Sequence, residues 1–301
     1  MMPTEKKIEK LIVIIGPTAS GKSALAIKIA QKFGGEIVSA DSRQIYKGMD
    51  IGTGKVSKKE MAAVPHHLID IVSPKKIFTV FQYKKLATKK INEILKRSKL
   101  PIICGGSGFY IQSIIDNIII PKVKPDKKLR ADLLKKSTEE LFDNLKKLDP
   151  RRAENIDKHN RHRLIRALEI IIKSGKKVPV LISKPIYESL FIGIKRSKKE
   201  LTKLIKERLL KRLKDGMVKE VIGLKKTGVS YERLEDLGLE YRYIAYYLQN
   251  KLNYNEMIKK LQLEIEHYAK RQLTWFRKEK RIKWIKNQKE SENFIKEFLL
   301  Q

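Results

Sequence analysis

The residues that most clearly indicate a chemical function form one short motif near the N-terminus. Its pattern, G-x-x-x-x-G-K-[ST], is matched by Gly16, Pro17, Thr18, Ala19, Ser20, Gly21, Lys22 and Ser23. In such a motif the glycines let backbone N–H groups surround phosphate oxygens at a helix N-terminus, the lysine adds a point charge and the last hydroxyl can hold Mg²⁺. The sequence therefore predicts a phosphate-binding loop made of these residues, with Ser23 as the candidate metal ligand.

A second candidate is Asp41, which follows a short predicted strand, Glu36–Ser39. A carboxylate on the same edge as the phosphate loop could accept a proton from an amine as the amine attacks an electrophile held on the loop. General base catalysis of this kind is worth roughly 10²–10⁴-fold in rate. A lone aspartate in such a position is also a common helix N-cap or turn residue. The residues alone leave both roles open.

A phosphate loop by itself is typical of nucleotide hydrolases and kinases. Both usually need an aspartate at the end of a later apolar strand to position Mg²⁺. The candidate strand here ends in glycines, in the segment Leu100–Gly108 (LPIICGGSG). The missing aspartate leaves room for chemistry in which a diphosphate is the leaving group.

These residues need a scaffold that brings them together, and the hydrophobic pattern indicates one. The segments that indicate strands and helices are Leu11–Ile15, the residues after Gly21, Glu36–Ser39, Val80–Arg97 and Leu100–Cys104. Alternating strands and helices predict an α/β fold with a P-loop NTPase-like parallel sheet flanked by helices. Ligands bind beyond the carboxyl ends of such strands, so Gly16, Asp41 and Gly105 are expected to converge.

The character of the chain changes at about residue 121. From there to about residue 186, strand-like runs vanish and helical segments are separated by Asp149-Pro150 and Gly175. Glu188–Ile194 then restores a strand, and the rest is helical almost to the end. We therefore predict an α/β core over 1–120, an inserted all-helical lobe over 121–186 and a return to the core over 187–301 that ends in basic helices.

Charge is the strongest bulk signal. There are 67 Lys and Arg residues against 34 Asp and Glu, which gives a formal net charge of +33. Such a field attracts polyanions, and nucleic acid is the obvious partner. A coding bias could inflate lysine but not arginine, and the arginines cluster at 151–166 and 271–281. This clustering favours a surface that binds a polyanion.

Other bulk features exclude several classes. The single cysteine, Cys104, rules out an internal disulfide and any zinc site that needs two thiolates. No apolar run is long enough for a membrane-spanning helix. The N-terminal segment has only a short apolar run before Gly16, which predicts a buried strand and no signal peptide. The protein is therefore expected in the cytoplasm.

Further segments, in order and at plausible spacing, are similar to those of one family. They are GPTASGKS at 16–23, DSRQIYKGMDIGTGK at 41–55, PHHLID at 65–70, GGSGFY at 105–110, LDPRRAENI at 148–156, HRLIRALEI at 162–170 and AKRQLTWFRK at 269–278. Each later segment is weak by itself, but together they are very specific. On these residues the chain resembles the bacterial tRNA dimethylallyltransferases (tRNA isopentenyltransferases, or IPP transferases) over nearly its whole length.

The resemblance implies a prenyltransferase activity. The dimethylallyl group of dimethylallyl diphosphate would pass to N6 of the adenosine immediately 3′ of the anticodon, in tRNAs that read codons beginning with U. The loop would bind this diphosphate and not ATP, with Thr18 among the contacts and Mg²⁺ as cofactor. The partners would be dimethylallyl diphosphate and the anticodon stem-loop of tRNA, and the enzyme is expected to work as a monomer.

The resemblance also implies which residues are catalytic. They would be Asp41, Ser23, Lys22 and Arg208. Asp41 would deprotonate or orient the adenosine amine, Ser23 would assist at the phosphates, and Arg208 would bind the diphosphate from the opposite side. Independently, Arg208 falls on an apolar helical face formed by Leu201, Leu204, Ile205 and Leu209. A charge there needs a partner, which a buried diphosphate would supply; a snorkelling surface arginine is the alternative.

Contacts with tRNA are implied in the same way. The matching residues are Asp41, Ser42, Arg43, Gln44, Ser107, Arg130, His162, Arg163, Leu164, Ile165, Arg166, Tyr241 and Arg242. Arg163 and Arg166 lie three apart on a predicted helix, so both could reach phosphates from one face. Two departures from the family pattern, Glu240-Tyr-Arg-Tyr243 and Arg161-His162, bear on these contacts and leave the catalytic assignment unchanged.

Three alternatives share the phosphate loop. A relative that prenylates free adenine nucleotides would not require the helical insertion or the basic C-terminal region. A P-loop kinase or switch protein would need an aspartate where Cys104 and the following glycines stand. A pure RNA-binding module with a vestigial loop would not need the intact Lys22, Ser23 and Asp41.

Overall fold

The computed structural model describes residues 8–180 and 183–301. Within them the chain forms two compact units. The first contains the described residues up to Asn117 and those from Lys184 onward, and the second runs from Ile118 to Ser183. Among the described helices, none combines the length and the apolar character that a membrane span requires.

The first unit is built on one sheet in which neighbouring strands run parallel. The strands are β1 (Glu9–Ile15), β2 (Gly35–Ser39), β3 (His66–His67), β4 (Leu100–Gly105), β5 (Tyr187–Ile194) and β6 (Ile282–Ile285). They lie in the order β3-β2-β4-β1-β5-β6. The predicted parallel sheet is therefore confirmed, with β1 paired to β4 on one side and to β5 on the other.

Helices cover both faces of this sheet. The side chains on both sides of β1 are therefore buried, and its sequence does not alternate between apolar and polar residues. Leu11, Val13 and Ile15 belong to one core cluster, whereas Ile12 and Ile14 belong to another, and all five are fully buried. A central strand of a parallel sheet is hydrophobic on both sides for this reason. Because β1 is central, the loop that follows it emerges between the ends of β4 and β5.

The helices are numbered along the chain. Those before the second unit are α1 (Lys22–Phe33), α2 (Lys58–Ala63), α3 (Val80–Lys96) and α4 (Gly108–Ile115). The second unit contains α5 (Lys127–Leu134), α6 (Thr138–Leu148), α7 (Pro150–Glu154) and α8 (Arg161–Ser174). The remainder of the first unit contains α9 (Lys198–Lys214), α10 (Met217–Lys226), α11 (Tyr231–Asp236), α12 (Leu239–Leu248), α13 (Tyr254–Phe276) and α14 (Gln288–Leu300).

The second unit, in its described residues, has helices and its own hydrophobic core. Leu141 and Leu145 of α6 pack with Leu164 and Leu168 of α8 in one cluster. The breaks between helices have local causes. Asp149 caps α7 by accepting a hydrogen bond from the Arg152 N–H at 3.1 Å, next to a proline at the first position of the helix. At the other end, α8 stops at a glycine in the left-handed conformation.

Two short strands, β3 and β6, were not predicted from the sequence. β3 pairs with β2 through only two residues, and β6 interrupts a region that we expected to be helical almost to the end. In β6 the end residues Ile282 and Ile285 are buried, whereas Lys283 and Trp284 between them are exposed. This pattern lacks the alternation that marks a strand, so the structure of β6 depends on its pairing with β5.

Candidate active site

The phosphate loop lies between β1 and α1, as its motif predicts. Gly21 precedes α1 with a φ of 94°, a region that glycine enters without steric cost. At Gly16, a Cβ atom would lie 2.5 Å from the Ser20 hydroxyl, so the close turn needs a glycine. Ala19 also has a positive φ, 63°. The backbone therefore curls tightly around the N-terminus of α1, where unpaired N–H groups and the helix dipole favour an anion.

Lys22 lies folded back on this loop. Its Nζ donates to the carbonyl of Pro17 at 3.5 Å. Burial of the ammonium lowers the pKa of Lys22, and the nearby charges of Arg208 and Arg212 lower it further, while Asp41 opposes them. Among the described residues, Lys22 has no ion-pair partner, so an anion bound here would restore the lost stabilisation of its charge.

Arg208 reaches the loop from α9. Its guanidinium donates to the hydroxyl of Thr18. Burial, followed by repulsion from Arg212, lowers the pKa of Arg208 to about 10. In the described part of the chain it forms no ion pair. The cationic groups of Lys22, Arg208 and Arg212 thus lie close enough together for Arg212 to lower the pKa of the other two. Such a cluster is a candidate site for a bound diphosphate.

Asp41 lies two residues beyond Ser39, where β2 ends. Its Oδ1 accepts hydrogen bonds from the backbone N–H groups of Arg43 at 2.8 Å and Gln44 at 3.4 Å. Its Oδ2 has no hydrogen-bond partner among the described residues. The two roles considered for Asp41 are therefore compatible, since one oxygen stabilises the turn and the other is available to a substrate.

Thr18, Asp41, Arg208 and Arg212 meet in a cavity of about 250 Å³. Its lining includes Thr18 and Arg208 at the phosphate loop, Asp41 after β2, and Tyr268 and Arg271 on α13. The expected convergence of the loop and Asp41 is therefore observed. Lys22 and Ser23 do not line this cavity; Ser23 lines a smaller one of about 20 Å³ together with Ser39, Gln44 and Cys104.

Arg212 is a cavity residue that sequence reasoning missed. Its Nη1 donates to the carbonyl of Gly52 at 3.1 Å and lies 3.3 Å from Glu240. A Cβ atom on Gly54 would lie 1.7 Å from Nη2 of Arg212, so the arginine fills the space that the glycine leaves. One signal was available, because Arg212 follows Arg208 by four residues and residues at that spacing share a helix face.

The residues of the first unit that were assigned to tRNA have different environments. Ser42, Arg43 and Arg242 line the cavity. Gln44 donates to the carbonyl of Gly54 at 3.1 Å, and Ser107 accepts from the backbone N–H of Ser42 at 3.0 Å. Tyr241 is 1% exposed, and its hydroxyl donates to Glu220 at 2.8 Å. We therefore treat Tyr241 as a wall residue that supports the cavity, because its side chain is already enclosed.

In the second unit, only part of the assigned set is available to a ligand. His162 and Arg163 are exposed, whereas Leu164 and Ile165 are buried in the core, which corrects their assignment as tRNA contacts. Arg130 and Arg166 both bind the carboxylate of Glu169. Arg130 donates from Nε and Nη2 at 2.7 Å each, and Arg166 donates from Nη1. Their guanidinium groups therefore already have a buried anionic partner.

Glu169 gives the second unit a predicted sensitivity to acid. Its bonds to Arg130, the Asp126 N–H and Arg166 outweigh burial and lower its pKa from 4.5 to about 2. A depressed pKa means that the carboxylate stabilises the fold above its unfolded pKa and that this stability is lost as pH falls from about 4.5 towards about 2. At most roughly 3 kcal/mol is at stake. Hydrogen exchange of the α8 amides at pH 7 and pH 3 measures this loss.

Glu169→Gln is the variant for this measurement. It should lower α8 protection at pH 7 and remove most of the difference between the two pH values. Glu154→Gln, at an exposed position of the same unit, is the matched control and should behave like the unmodified protein. Unchanged acid sensitivity in Glu169→Gln would contradict the assignment of this effect to Glu169.

The basic residues near the C-terminus separate into two groups. Arg271 lines the cavity and lies 6.0 Å from the ring centre of Tyr268. Arg281 instead pairs with Asp116 at 2.8 Å and lies over the ring of Phe191. Of these two arginines, only Arg271 lines the cavity, whereas Arg281 is already engaged in an ion pair. Phe276 is fully buried, which agrees with a packing role.

Comparison with known proteins gives a consistent picture. The family model described as IPP transferase matches residues 44–279. A tRNA dimethylallyltransferase from Carboxydothermus hydrogenoformans is 42% identical over 301 residues, which cover 97% of this chain and 96% of that protein. Another, tRNA dimethylallyltransferase 1 from Geotalea uraniireducens, is 41% identical over 279 residues and covers 91% of this chain and 92% of its own.

Solved structures agree with the sequence comparisons. A full-length tRNA isopentenylpyrophosphate transferase from Bacillus halodurans is similar with a TM-score of 0.73 and 35% identity, and 95% of each chain is covered. A eukaryotic dimethylallyltransferase acting on tRNA gives a TM-score of 0.75 at 28% identity, covering 89% of this chain and 69% of that one.

Proposed function

Because the chain belongs to the IPP transferase family, we propose that it transfers a dimethylallyl group from dimethylallyl diphosphate to N6 of an adenosine in tRNA. Its relatives carry the name of this activity. The single observation that supports it best is the cavity in which Asp41 lies with Thr18 and Arg208. A site for a leaving diphosphate and a carboxylate for an attacking amine are the two parts that the reaction needs.

The reaction joins carbon to nitrogen with loss of diphosphate. N6 of the adenosine attacks C1 of the dimethylallyl group and forms the C–N bond, while the C1–O bond breaks and its electron pair leaves with the diphosphate. The phosphate loop and Arg208 bind the developing negative charge, where preorganised donors are most effective. The proton released from N6 passes to the carboxylate of Asp41.

The hydroxyl of Ser23, the last residue of the phosphate-loop motif, is the candidate ligand for a divalent cation. No group of three or more His, Cys, Asp or Glu residues suited to a metal occurs in the described chain. Mg²⁺ does not require such a cage, because at phosphate sites it keeps several waters and takes phosphate oxygens as ligands. We propose that the hydroxyl of Ser23 holds Mg²⁺ when diphosphate is bound. The ion would neutralise part of the charge of the leaving group.

The surroundings of Asp70 favour a prenyltransferase over a kinase, because a kinase would need a free aspartate near the phosphate loop to position Mg²⁺. Lys55 Nζ lies 2.5 Å from Asp70 and 2.5 Å from Asp50. Asp70 is thus committed to a lysine whose side chain is 3% exposed. Since β4 ends without an aspartate, the metal-positioning carboxylate of a kinase has no counterpart in these segments.

We further propose that the acceptor is the adenosine 3′ of the anticodon in tRNAs that read codons beginning with U, and that the protein acts in the cytoplasm as a monomer. An enzyme that modifies a base must take the base out of its stack. The cavity of about 250 Å³ beside Asp41 and Tyr268 suits an extruded base edge together with a small prenyl group.

Mass spectrometry of nucleosides tests the proposal directly. Unmodified tRNA is incubated with the protein, Mg²⁺ and dimethylallyl diphosphate, with AMP and ADP as parallel acceptors. Dimethylallyladenosine formed only in tRNA supports the proposal. Label on the free nucleotides would assign the protein to the enzymes that prenylate mononucleotides, and ATP consumption without any prenylated product would indicate a kinase or hydrolase.

Arg163 should act as a phosphate contact of the second unit. Arg163→Ala should weaken tRNA binding and reduce the slope of log affinity against log salt concentration by about 1, because one fewer counterion is released. The measurement is a salt titration of tRNA affinity. Arg166→Ala is the contrast, since Arg166 already binds Glu169; it should lower the stability of α8. An unchanged salt slope in Arg163→Ala would reject the phosphate contact.

A further inference from the structure

Gln272 of α13 joins two loops of the candidate site that are distant in the sequence. Its side-chain oxygen accepts a hydrogen bond from the backbone N–H of Thr18 at 2.8 Å. Its Nε2 donates to the backbone carbonyl of Gly106 at 2.9 Å. The residue is 7% exposed, and a buried amide paired at both ends is held in one orientation. One side chain thus fixes the phosphate loop against the turn between β4 and α4.

Each of these loops leads to a group with a proposed role in the reaction. On one side, the hydroxyl of Thr18 accepts a hydrogen bond from Arg208. On the other side, Ser107 follows Gly106, and its hydroxyl accepts from the backbone N–H of Ser42 at 3.0 Å. Ser42 is the neighbour of Asp41 in the chain. A continuous series of contacts therefore connects the diphosphate side of the cavity to its carboxylate, with Gln272 in the middle.

The packing around Gln272 leaves room for this amide and for little else. A Cβ atom on Gly106 would lie 2.2 Å from its Nε2, and one on Gly108 would lie 2.4 Å from the ring of Trp275. Trp275 follows Gln272 by three residues, a spacing that places both on one face of α13. The helix therefore contacts the β4–α4 turn through two glycines, and the amide belongs to that contact.

From these contacts we infer that Gln272 is a positioning residue for prenyl transfer. Its hydrogen bond occupies the N–H of Thr18, so Gln272 acts through the loop and not on the substrate. It sets the distance between the diphosphate and Asp41, and a shift of about 1 Å between reacting groups can cost roughly 10²-fold in rate. The inference rests on the proposed function, because it presupposes a diphosphate on the loop and an amine at Asp41.

The test compares two substitutions of Gln272 with a matched control. Gln272→Leu keeps much of the bulk and removes both hydrogen bonds, whereas Gln272→Glu keeps an acceptor for Thr18 and loses the donor to Gly106. Gln262→Leu is the control, because Gln262 lies on the same helix and its amide bonds Glu266 of that helix. The single-turnover rate, the affinity for inorganic diphosphate and the affinity for tRNA are measured at a temperature where melting curves show each variant folded.

We expect Gln272→Leu to lower the single-turnover rate by roughly 10²-fold. Its affinity for tRNA should be unchanged, and its affinity for diphosphate should fall much less than the rate. Gln272→Glu should also lose rate, and Gln262→Leu should match the unmodified protein. A purely structural role would instead lower the melting temperature and leave the folded fraction fully active.

Gly106→Ala provides an independent route to the same contact. Its methyl group would displace the amide of Gln272, so the variant should lose rate as Gln272→Leu does. The double variant should be no slower than the slower single variant, because both changes break one contact. Gly106→Ala and Gln272→Glu also carry the test if Gln272→Leu fails to fold.

Two outcomes would overturn the inference. One is a rate for folded Gln272→Leu within about twofold of the unmodified protein, against the roughly 10²-fold loss expected; the other is a double variant whose losses simply multiply. Failure of the proposed function is distinct from either, since the unmodified protein would then transfer no prenyl group to tRNA. Normal transfer by both the unmodified protein and Gln272→Leu rejects the positioning role alone.

Discussion

Asp41→Asn is expected to lower the rate of prenyl transfer by roughly 10²–10⁴-fold, the range for loss of a general base. Asparagine keeps an oxygen that can accept from the N–H groups of Arg43 and Gln44, as Oδ1 of Asp41 does. It therefore preserves the turn after β2. What it loses is the negative charge and the ability to take a proton from N6 of the adenosine.

The measurement is single-turnover transfer to tRNA at saturating concentrations of both substrates, with tRNA affinity measured separately. The affinity should change little, because the turn and its neighbours Ser42 and Arg43 remain in place. Asp215→Asn is the matched control, since Asp215 is exposed at the end of α9 and pairs with Lys211; its rate should be that of the unmodified protein. A loss of tRNA affinity as large as the loss of rate would contradict the role of Asp41 as a base.

Asp41 also shows how far the sequence determines the site. The carboxyl ends of parallel strands meet at one edge of a sheet, so the order of strands and loops was enough to predict that Asp41 lies near the phosphate loop. For Arg208 the role was implied by the family resemblance, and its place on an apolar helix face supported that role without excluding a snorkelling arginine. Only the position of Asp41 therefore followed from local pattern together with a general rule of architecture.

Contacts between residues that are distant in the chain follow no such rule. Arg212 bonds Gly52 across 160 residues, and Gln272 bonds Gly106 across 166. No local pattern identifies either pair, since a polar residue on a helix and a glycine in a loop are common by themselves. Both pairs depend on how α9 and α13 pack against the loops after β2 and β4.

A resemblance to a family assigns a role to each matching residue without regard to whether its side chain is buried. This is a second limit on what the sequence can predict. Leu164 and Ile165 match a segment associated with tRNA, yet they are core residues of the second unit. Their helical period was visible in the sequence, since Leu164, Ala167, Leu168 and Ile171 recur every three or four residues. Periodicity therefore distinguishes the members of such a segment that pack from those that face a ligand.

The cationic cluster leads to the second large prediction, in which activity and stability change in opposite directions. Arg208→Met should lower the transfer rate by roughly 10²–10³-fold, the range for loss of one donor to a developing oxyanion. In the absence of diphosphate, the same variant should unfold at a higher temperature. The reason is that burial and Arg212 hold the pKa of Arg208 at about 10, below its ordinary value, so the protonated form is disfavoured in the fold.

Diphosphate should reverse this order of stability. Bound to the unmodified protein, it supplies the anion that Lys22 and Arg208 lack among the described residues, and it stabilises the fold by mass action. Arg208→Met should show a smaller rise in melting temperature at the same diphosphate concentration. Arg208→Lys keeps a charge without the planar fork and should fall between the two in rate.

Lys206→Met is the control for these measurements, because Lys206 is exposed on the same helix. It removes one positive charge at a position that does not line the cavity, so its rate and its response to diphosphate should be unchanged. A melting temperature that falls in ligand-free Arg208→Met would show that Arg208 stabilises the fold through its bond to Thr18. Diphosphate stabilisation equal to that of the unmodified protein would show that the anion is bound elsewhere, and the phosphate loop would then need a different role.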